Sequence, residues 1–476
     1  MSLYFILLLS LISFSISAEK LVFVATHFRH GARAPQGYLD AKKHLDYAFG
    51  SWDNPGELTG MGQRMHYLLG LRNRERYITG QYKFLNEKFD PHEILIYSSS
   101  LNRTLLSAAS QLQGLYPMKE GLGEKLNKAQ QEKAIPKVTL SKAIKDHMEE
   151  IGDQALPNYL TLAPVRMISP LERRIIIYDI PECLFRRDEM RETNYKNVDR
   201  LDKIVKQFKT NYYDNKLEAN YSKYNIECNI SFVDNFCDGY IAGYTEGKDL
   251  KVVNDTGIDL DEMAEFCYNF STLNFRDWIS GDDERKLATL EVSKLMRDFI
   301  HYMNLRVDDD INGIDTSENK KEYSKPKMMM ISGHDSTISA VEMFFAKVFN
   351  KNDALSFYRY PYFATQIAFE VVVDDSIEKK AKKDYKIKYY FNDDLVFTKT
   401  IEEFTQEVEK NLWSDDQINE YCKFVEEKGL YFYLTIAFSC TTAIFLIVMI
   451  IMIIKNCRGK SSESINNSGM LLKNYE

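Results

Sequence analysis

The chain has 476 residues, 45% of them hydrophobic, and a formal net charge of −8. This composition fits a globular protein with one large core or two domains. The acidic balance argues against a nucleic-acid partner.

Residues 3–16 form an apolar run, and Ser17 and Ala18 follow it. They read as a secretory signal peptide, 1–18, cut near Ala18. A second apolar run, Leu21 to Ala25, breaks abruptly into Arg29, His30, Gly31, Ala32, Arg33, Ala34 and Pro35. The run reads as a buried strand, and its loop lies where open α/β sheets bind ligands. Two guanidinium forks match phosphate oxygens, and an imidazole nitrogen can attack phosphorus or shuttle a proton. Gly31 is expected to let backbone approach an anion closely. The competing reading is a solvated basic turn. Leu58, Met61, Met65, Leu68, Leu69 and Ile78 suit the apolar side of a helix that Thr59 would cap. A strand over 93–100 then runs into a helix opening that carries Arg103, a second place suited to an anion.

Residues 120–160 are rich in Lys, Glu and Gln and read as an exposed excursion. Residues 171–285 read as helical and irregular, an inserted cap. Sequons at Asn220, Asn229, Asn254 and Asn269 cluster there and fit a glycosylated surface, whereas the one at Asn102 lies in the candidate site and is expected bare. A helix near 282–304 precedes a linker over 308–325 and the strand at 328–332, which ends in Gly333, His334, Asp335, Ser336 and Thr337. A helix over 338–349 and two β-rich stretches, 364–373 and 385–391, follow, the latter suited to a hairpin. The segments 19–170 and 286–429 thus form an α/β core, a Rossmann-like mostly parallel sheet flanked by helices.

Residues 430–454 carry no charge, with Glu426 and Glu427 before them and Lys455, Arg458 and Lys460 after. That length crosses a hydrocarbon core of about 30 Å, and the positive-inside rule puts a tail, 455–476, in the cytosol. The membrane lipid is thus one expected partner. Leu471, Leu472 and Tyr475 in the tail form no complete sorting signal, so a lysosome-like compartment and the cell surface both stay open. Of 7 cysteines, Cys440 and Cys457 lie in or beside this span. Cys183, Cys228, Cys237, Cys267 and Cys422 remain outside the cytosol, which suggests two disulfides and one free thiol.

Arg29, His30, Arg33, Arg103, His334 and Asp335 would supply what phosphoryl transfer needs: positive donors, an in-line nucleophile and a proton for the leaving oxygen. His27 is equally suited to lining the pocket or to a structural role. His44, His66, His92, His147 and His301 have no evident partners. No cluster has metal-ligand spacing, so no metal or other cofactor is implied.

The motif R-H-G-x-R-x-P at 29–35, with Arg103-Thr104 and then Ser332-Gly-His334-Asp335 in order, resembles the signature of the histidine acid phosphatases. The resemblance runs from about Lys20 to Cys422. It implies that His30 is phosphorylated, that Arg29, Arg33, Arg103 and His334 bind the phosphate, and that Asp335 donates a proton to the leaving alcohol. It also implies a Cys183–Cys422 disulfide and leaves a homodimer open. Where the family often reads R-S-T-D-x-D-R-T, this chain has Tyr97, Ser100 and Asn102 in place of an arginine and two acids. The family's Q-L-T segment is here Glu57-Leu58-Thr59. The leading expectation is an acid phosphatase acting on small phosphomonoesters. A phytase-like inositol polyphosphate phosphatase, a lysophosphatidic acid phosphatase and an inactive receptor-like ectodomain are the rivals.

Overall fold

The computed structural model describes residues 19–36, 52, 54–80, 82–118, 122–167, 199–218, 227–250, 253, 256–280, 286–314, 325–349, 359–422, 442 and 448–453. The chain divides into two compact units, Met1–Asp415 and Asp416–Glu476.

The first unit opens with strand β1 (Glu19–Arg29), then helix α1 (Gly60–Arg74), β2 (Ile94–Ser98) and α2 (Asn102–Leu115). Thr59 caps α1 as expected, its side chain accepting the N–H of Gly62 at 3.1 Å. The 120–160 excursion holds two short helices with no buried residue, α3 (Lys128–Lys133) and α4 (Lys142–Ile151), and leads to the edge strand β3 (Arg166–Met167). A helical layer follows: α5 (Asp199–Phe208), α6 (Ile230–Thr245) and α7 (Leu260–Ser280). Then come α8 (Lys286–Ile311), β4 (Met328–Gly333), α9 (Asp335–Phe349), β5 (Gln366–Asp374), β6 (Tyr385–Phe391), β7 (Asp394–Thr400) and α10 (Ile401–Glu409). The second unit begins within α11 (Asp415–Cys422).

One seven-stranded sheet runs in the order β3-β2-β4-β1-β5-β6-β7. Strands β3, β2, β4 and β1 are mutually parallel, whereas β5, β6 and β7 each pair antiparallel with their neighbour. The sheet is therefore mixed, which corrects the mostly parallel sheet expected from sequence. The cause lies in the connections. Parallel neighbours need long crossovers, which the helices supply, while β5, β6 and β7 are joined by short turns that allow only antiparallel pairing. The expected hairpin is β5–β6; β7 has no buried residue and gave no apolar alternation to read.

Period-two alternation divides the core between the faces of the sheet. Leu95, Met329, Ile331, Ile367, Phe369 and Val371 pack with residues of α8, α9 and α10. Ile94, Ile96, Met328, Met330 and Val372 pack with Ala108, Leu112 and Leu115 of α2 and with Tyr77 and Ile78 just beyond α1. The helical layer has its own apolar cluster around Phe208, Phe232, Phe236, Tyr240 and Phe270.

Within that cluster a disulfide joins Cys237 of α6 to Cys267 of α7, while Cys228 is free and half-buried. Cys183 and the side chain of Cys422 lie outside the described residues, as do the signal segment, Asn220 and Asn254. Asn229 caps α6 and Asn269 lies on α7, both exposed. Among the described residues no helix is long and apolar enough to cross a membrane. The 430–454 run is described only at 442 and 448–453, which are helical and exposed.

Helices α1 and α2 cross in direct backbone contact. A Cβ on Gly70 would lie 2.0 Å from the carbonyl oxygen of Gln111, and one on Gly114 would lie 2.0 Å from that of Tyr67. In an isolated helix alanine is favoured over glycine by about 1 kcal/mol. Here Gly70→Ala or Gly114→Ala should instead destabilise by about 1–3 kcal/mol, because neither backbone can yield. Urea unfolding checks this, and a midpoint at or above that of the parent would mean the helices separate freely.

Candidate active site

Strands β2, β4 and β1 are adjacent and parallel, so their C-terminal ends open on one edge of the sheet. There the structure gathers the predicted residues: Arg29, His30 and Arg33 after β1, Arg103 in the first turn of α2, and His334 and Asp335 between β4 and α9.

His30 is 1% exposed. Its Nδ1 lies 2.9 Å from the carbonyl oxygen of Gly31. A carbonyl oxygen only accepts, so Nδ1 carries the proton of the neutral ring and Nε2 keeps its lone pair. Burial, and then the charges of Arg29, Arg33 and Arg103, hold the imidazole well below its ordinary pKa and therefore neutral. The backbone of His30 is pinned on both sides. Its N–H donates to Gly333 O at 3.1 Å, and its carbonyl accepts from Ala364 N at 3.1 Å.

Gly31 has a different purpose from the one its sequence suggested. A Cβ there would lie 2.4 Å from the carbonyl oxygen of Gly62, and a Cβ on Gly62 would lie 2.2 Å from that of Ala32. The loop thus rests directly on the first turn of α1, and the glycine serves that contact. The Gly31 N–H donates to Ser107 Oγ at 3.1 Å, and that hydroxyl donates to Arg103 O at 2.6 Å, which ties the loop to α2.

The arginines are held by acids and carbonyls. Arg29 Nη2 is 2.7 Å from Asp335 Oδ2, while its Nη1 donates to Pro361 O at 2.7 Å and to Tyr360 Oη at 3.3 Å. Its guanidinium lies 4.4 Å from the ring centroid of Phe363. Arg33 grips Asp238 of α6 with both terminal nitrogens, at 2.6 and 3.3 Å, and Asp238 also accepts the Gln36 N–H at 3.1 Å. Burial works to raise the pKa of the Asp238 carboxyl, but the Arg33 charge and hydrogen bonds outweigh it and hold it below the usual range. In the orientation its neighbours require, the Gln36 amide oxygen accepts from Arg103 Nη2 at 3.2 Å and from Arg33 Nη2 at 3.3 Å. An acceptor oxygen between two guanidiniums stands where a phosphate oxygen would fit.

His334 faces His30 edge-on, with ring centroids 5.7 Å apart, and its Nε2 lies 3.0 Å from Ser99 Oγ. Burial, and then the Arg103 charge, lower its pKa to about 3. Asp335 opens α9, its carboxylate accepting the Ser336 N–H at 2.8 Å. His27 is buried with neither ring nitrogen hydrogen-bonded, and burial lowers its pKa to about 3. Among the described residues no group of three or more His, Cys, Asp or Glu side chains is arranged to hold a metal ion.

Other members of the site escaped the sequence. His66 is fully buried; its Nε2 donates to Arg29 O at 3.1 Å and its Nδ1 faces Gln111 Oε1 at 3.2 Å. Gln111 in turn donates to Gln366 Oε1 at 3.2 Å, which also accepts from Asn73 Nδ2 at 2.9 Å. This buried polar chain fixes the peptide that precedes His30. Tyr360, Pro361 and Phe363 arrive because β5 runs antiparallel to β1 and so begins where β1 ends. The aromatic run before the 364–373 stretch was the available signal. Asp238 gave none beyond its place next to Cys237.

Comparison with known proteins agrees with this arrangement. Over 102 residues, 21% of this chain, the sequence is 40% identical to the lysosomal acid phosphatase of Xenopus laevis. Over 104 residues, 22% of this chain, it is 38% identical to human prostatic acid phosphatase. Those matches span only 22% and 25% of the two relatives. In fold, the chain is similar to the apo form of Hafnia alvei phytase, with a TM-score of 0.52 at 12% identity, covering 85% of this chain and 98% of that one. A family model described as histidine phosphatase superfamily, branch 2, matches residues 20–392, which include all six residues gathered at the sheet edge. With the motif, the fold and the convergent arginines in agreement, the chain belongs to branch 2 of the histidine phosphatase superfamily.

Proposed function

We propose that the protein is a phosphomonoesterase that works through a phosphohistidine at His30. The observation that carries this reading is the Nδ1 contact to Gly31 O, which leaves Nε2 as a lone pair among three guanidiniums. In the first step Nε2 attacks phosphorus and the ester P–O bond breaks. The electron pair goes to the leaving oxygen, which takes the proton that Asp335 gains from solvent once phosphate has displaced it from Arg29. In the second, Asp335 takes a proton from water as the water oxygen attacks phosphorus, the P–N bond breaks, and phosphate leaves with His30 restored. Arg29, Arg33, Arg103 and His334 hold the phosphoryl oxygens. Since Arg29 already holds Asp335, and Arg33 already holds Asp238, an arriving phosphate competes with these acids for the guanidiniums. That exchange frees the Asp335 side chain for proton transfer.

The 171–285 segment acts as a cap, a reading supported by its separate apolar cluster and by the Asp238 contact. The uncharged run 430–454 and its flanking charges support a single-pass anchor, with the catalytic unit in a lysosome-like lumen or outside the cell. Exposure of Asn229 and Asn269 suits glycosylation.

His30→Ala should abolish turnover and acid-labile, base-stable phosphoprotein. Rapid quench with labelled substrate checks this, and label persisting in the variant would move the nucleophile elsewhere. The depressed pKa of His30 also sets a sign. The ring stays unprotonated, and competent, as the pH falls through its ordinary value near 6.5. The single-turnover phosphorylation rate at saturating p-nitrophenyl phosphate should therefore hold between about pH 7 and 5. A fall centred near 6.5 would mean that His30 titrates like a free imidazole.

Asp335→Asn keeps the size of the side chain but cannot deliver a proton. Phosphorylation from alkyl phosphates should fall by ~10²–10⁴, and from p-nitrophenyl phosphate by much less. Burst-phase kinetics that find equal losses would assign Asp335 to positioning alone.

A further inference from the structure

We infer that Ser99 is a positioning residue. Its hydroxyl fixes the proton of the neutral His334 ring on Nε2, so that this histidine grips a phosphoryl group only after taking up a second proton, a reading that rests on the phosphatase activity proposed above. Ser99 stands just past the end of β2, beside the end of β4. Its N–H donates to Ser332 O at 3.2 Å, and its carbonyl accepts from Ser98 Oγ at 3.0 Å. The sheet thus holds the backbone of Ser99, and the side chain reaches His334 from a fixed place.

Three oxygens and a ring nitrogen form a chain of contacts there. Thr104 Oγ1 is 2.8 Å from Leu101 O, Ser99 Oγ is 2.7 Å from Thr104 Oγ1, and His334 Nε2 is 3.0 Å from Ser99 Oγ. Each hydroxyl owns one proton, and a carbonyl oxygen owns none. The contact to Leu101 O therefore takes the Thr104 proton. The contact between the two hydroxyls takes the Ser99 proton. The contact to the ring is left for Nε2–H, which donates to Ser99 Oγ. Any other assignment leaves two lone pairs facing each other at 3.0 Å or less.

His334 thus holds the opposite tautomer to His30, whose proton is on Nδ1. The consequence concerns charge. In the empty site His334 is neutral, because burial and the charges of Arg103 on α2 and of Arg29 and Arg33 at the end of β1 outweigh Asp335 on α9. The neutral ring of His30 lies edge-on to it at 5.7 Å. With its proton on Nε2, the neutral His334 ring has a lone pair at Nδ1, which repels an anionic oxygen. A phosphate dianion offsets the guanidinium charges, the ring pKa climbs, and Nδ1 takes a proton from solvent. The imidazolium then donates from Nε2 to Ser99 and from Nδ1 to a phosphoryl oxygen. Holding the dianion at this histidine consumes one proton. Without the Ser99 hydroxyl the ring can carry its single proton on Nδ1 and consume none.

The test titrates inorganic phosphate onto the full chain in detergent by calorimetry, above about pH 7.5, where free phosphate is mainly the dianion. One linked proton steepens the fall of affinity with pH by about tenfold per unit. Protons that His30 or Asp335 take up are common to all variants and cancel in the comparison. Wild type and Ser99→Thr, which keeps the hydroxyl, should share the steeper dependence, and Ser99→Ala should lose that factor. Thr104→Val should lose it too, although Ser99 and His334 are untouched, because the Ser99 proton then turns to Nε2 and leaves the ring proton on Nδ1. Equal slopes in wild type and Ser99→Ala, or the wild-type slope in Thr104→Val, would overturn the inference while leaving phosphate binding and turnover in place. Wild type that neither hydrolyses p-nitrophenyl phosphate nor binds phosphate would instead refute the phosphatase reading, and the role of Ser99 with it.

Discussion

A guanidinium out of water must be compensated, and Arg29 is the cation on which this site depends. It sits at the end of the central strand with its side chain 4% exposed. Asp335 at the head of α9, the carbonyl of Pro361, the hydroxyl of Tyr360 and the face of Phe363 all satisfy it. Segments more than 300 residues apart in sequence are thereby held against one side chain. His66 secures the same residue from the other side of the sheet, through the Arg29 carbonyl. Position and charge at His30 are then set together, because the groups that fix the loop also surround the imidazole and keep it neutral.

Arg33 plays the matching part toward the helical layer. Asp238 takes both of its terminal nitrogens, and the residue before Asp238 is bonded to Cys267 of α7. The disulfide and the ion pair thus sit one residue apart on α6. A second contact, between Thr59 at the start of α1 and Glu246 at the end of α6, keeps that helix along the loop. The layer is tied by charge to the loop that carries Arg33, and to itself by aromatic packing around Phe236.

Much of this was legible in the sequence because the site is built from strand ends. Apolar runs that stop at Arg29, near Arg103 and at His334 mark where parallel strands finish, and local patterning carries that information. The capping threonine at 59 and the glycine at 333, where an apolar strand ends, are likewise local signals. What could not be read depends on pairing between distant segments. Whether β5 lies parallel or antiparallel to β1 is not encoded in its alternation, and that choice alone brings Tyr360 and Phe363 to His30. The partners of His66 come from α2 and from the last residue of β1, so its sequence neighbourhood shows an ordinary helix face. Asp238 reaches Arg33 across 205 positions, with no pattern to announce it.

The contact between Gly31 and Gly62 bears on how such a chain can change over generations. The atoms that a Cβ at either position would strike belong mainly to backbone: Gly62 O, Cα and C on one side, Ala32 O and N on the other. A clash with a side chain can be relieved by trimming that side chain, which lets two sites drift together through a viable intermediate. A clash with a peptide group offers no such trade. Neither glycine can therefore take a side chain unless the peptide that faces it moves.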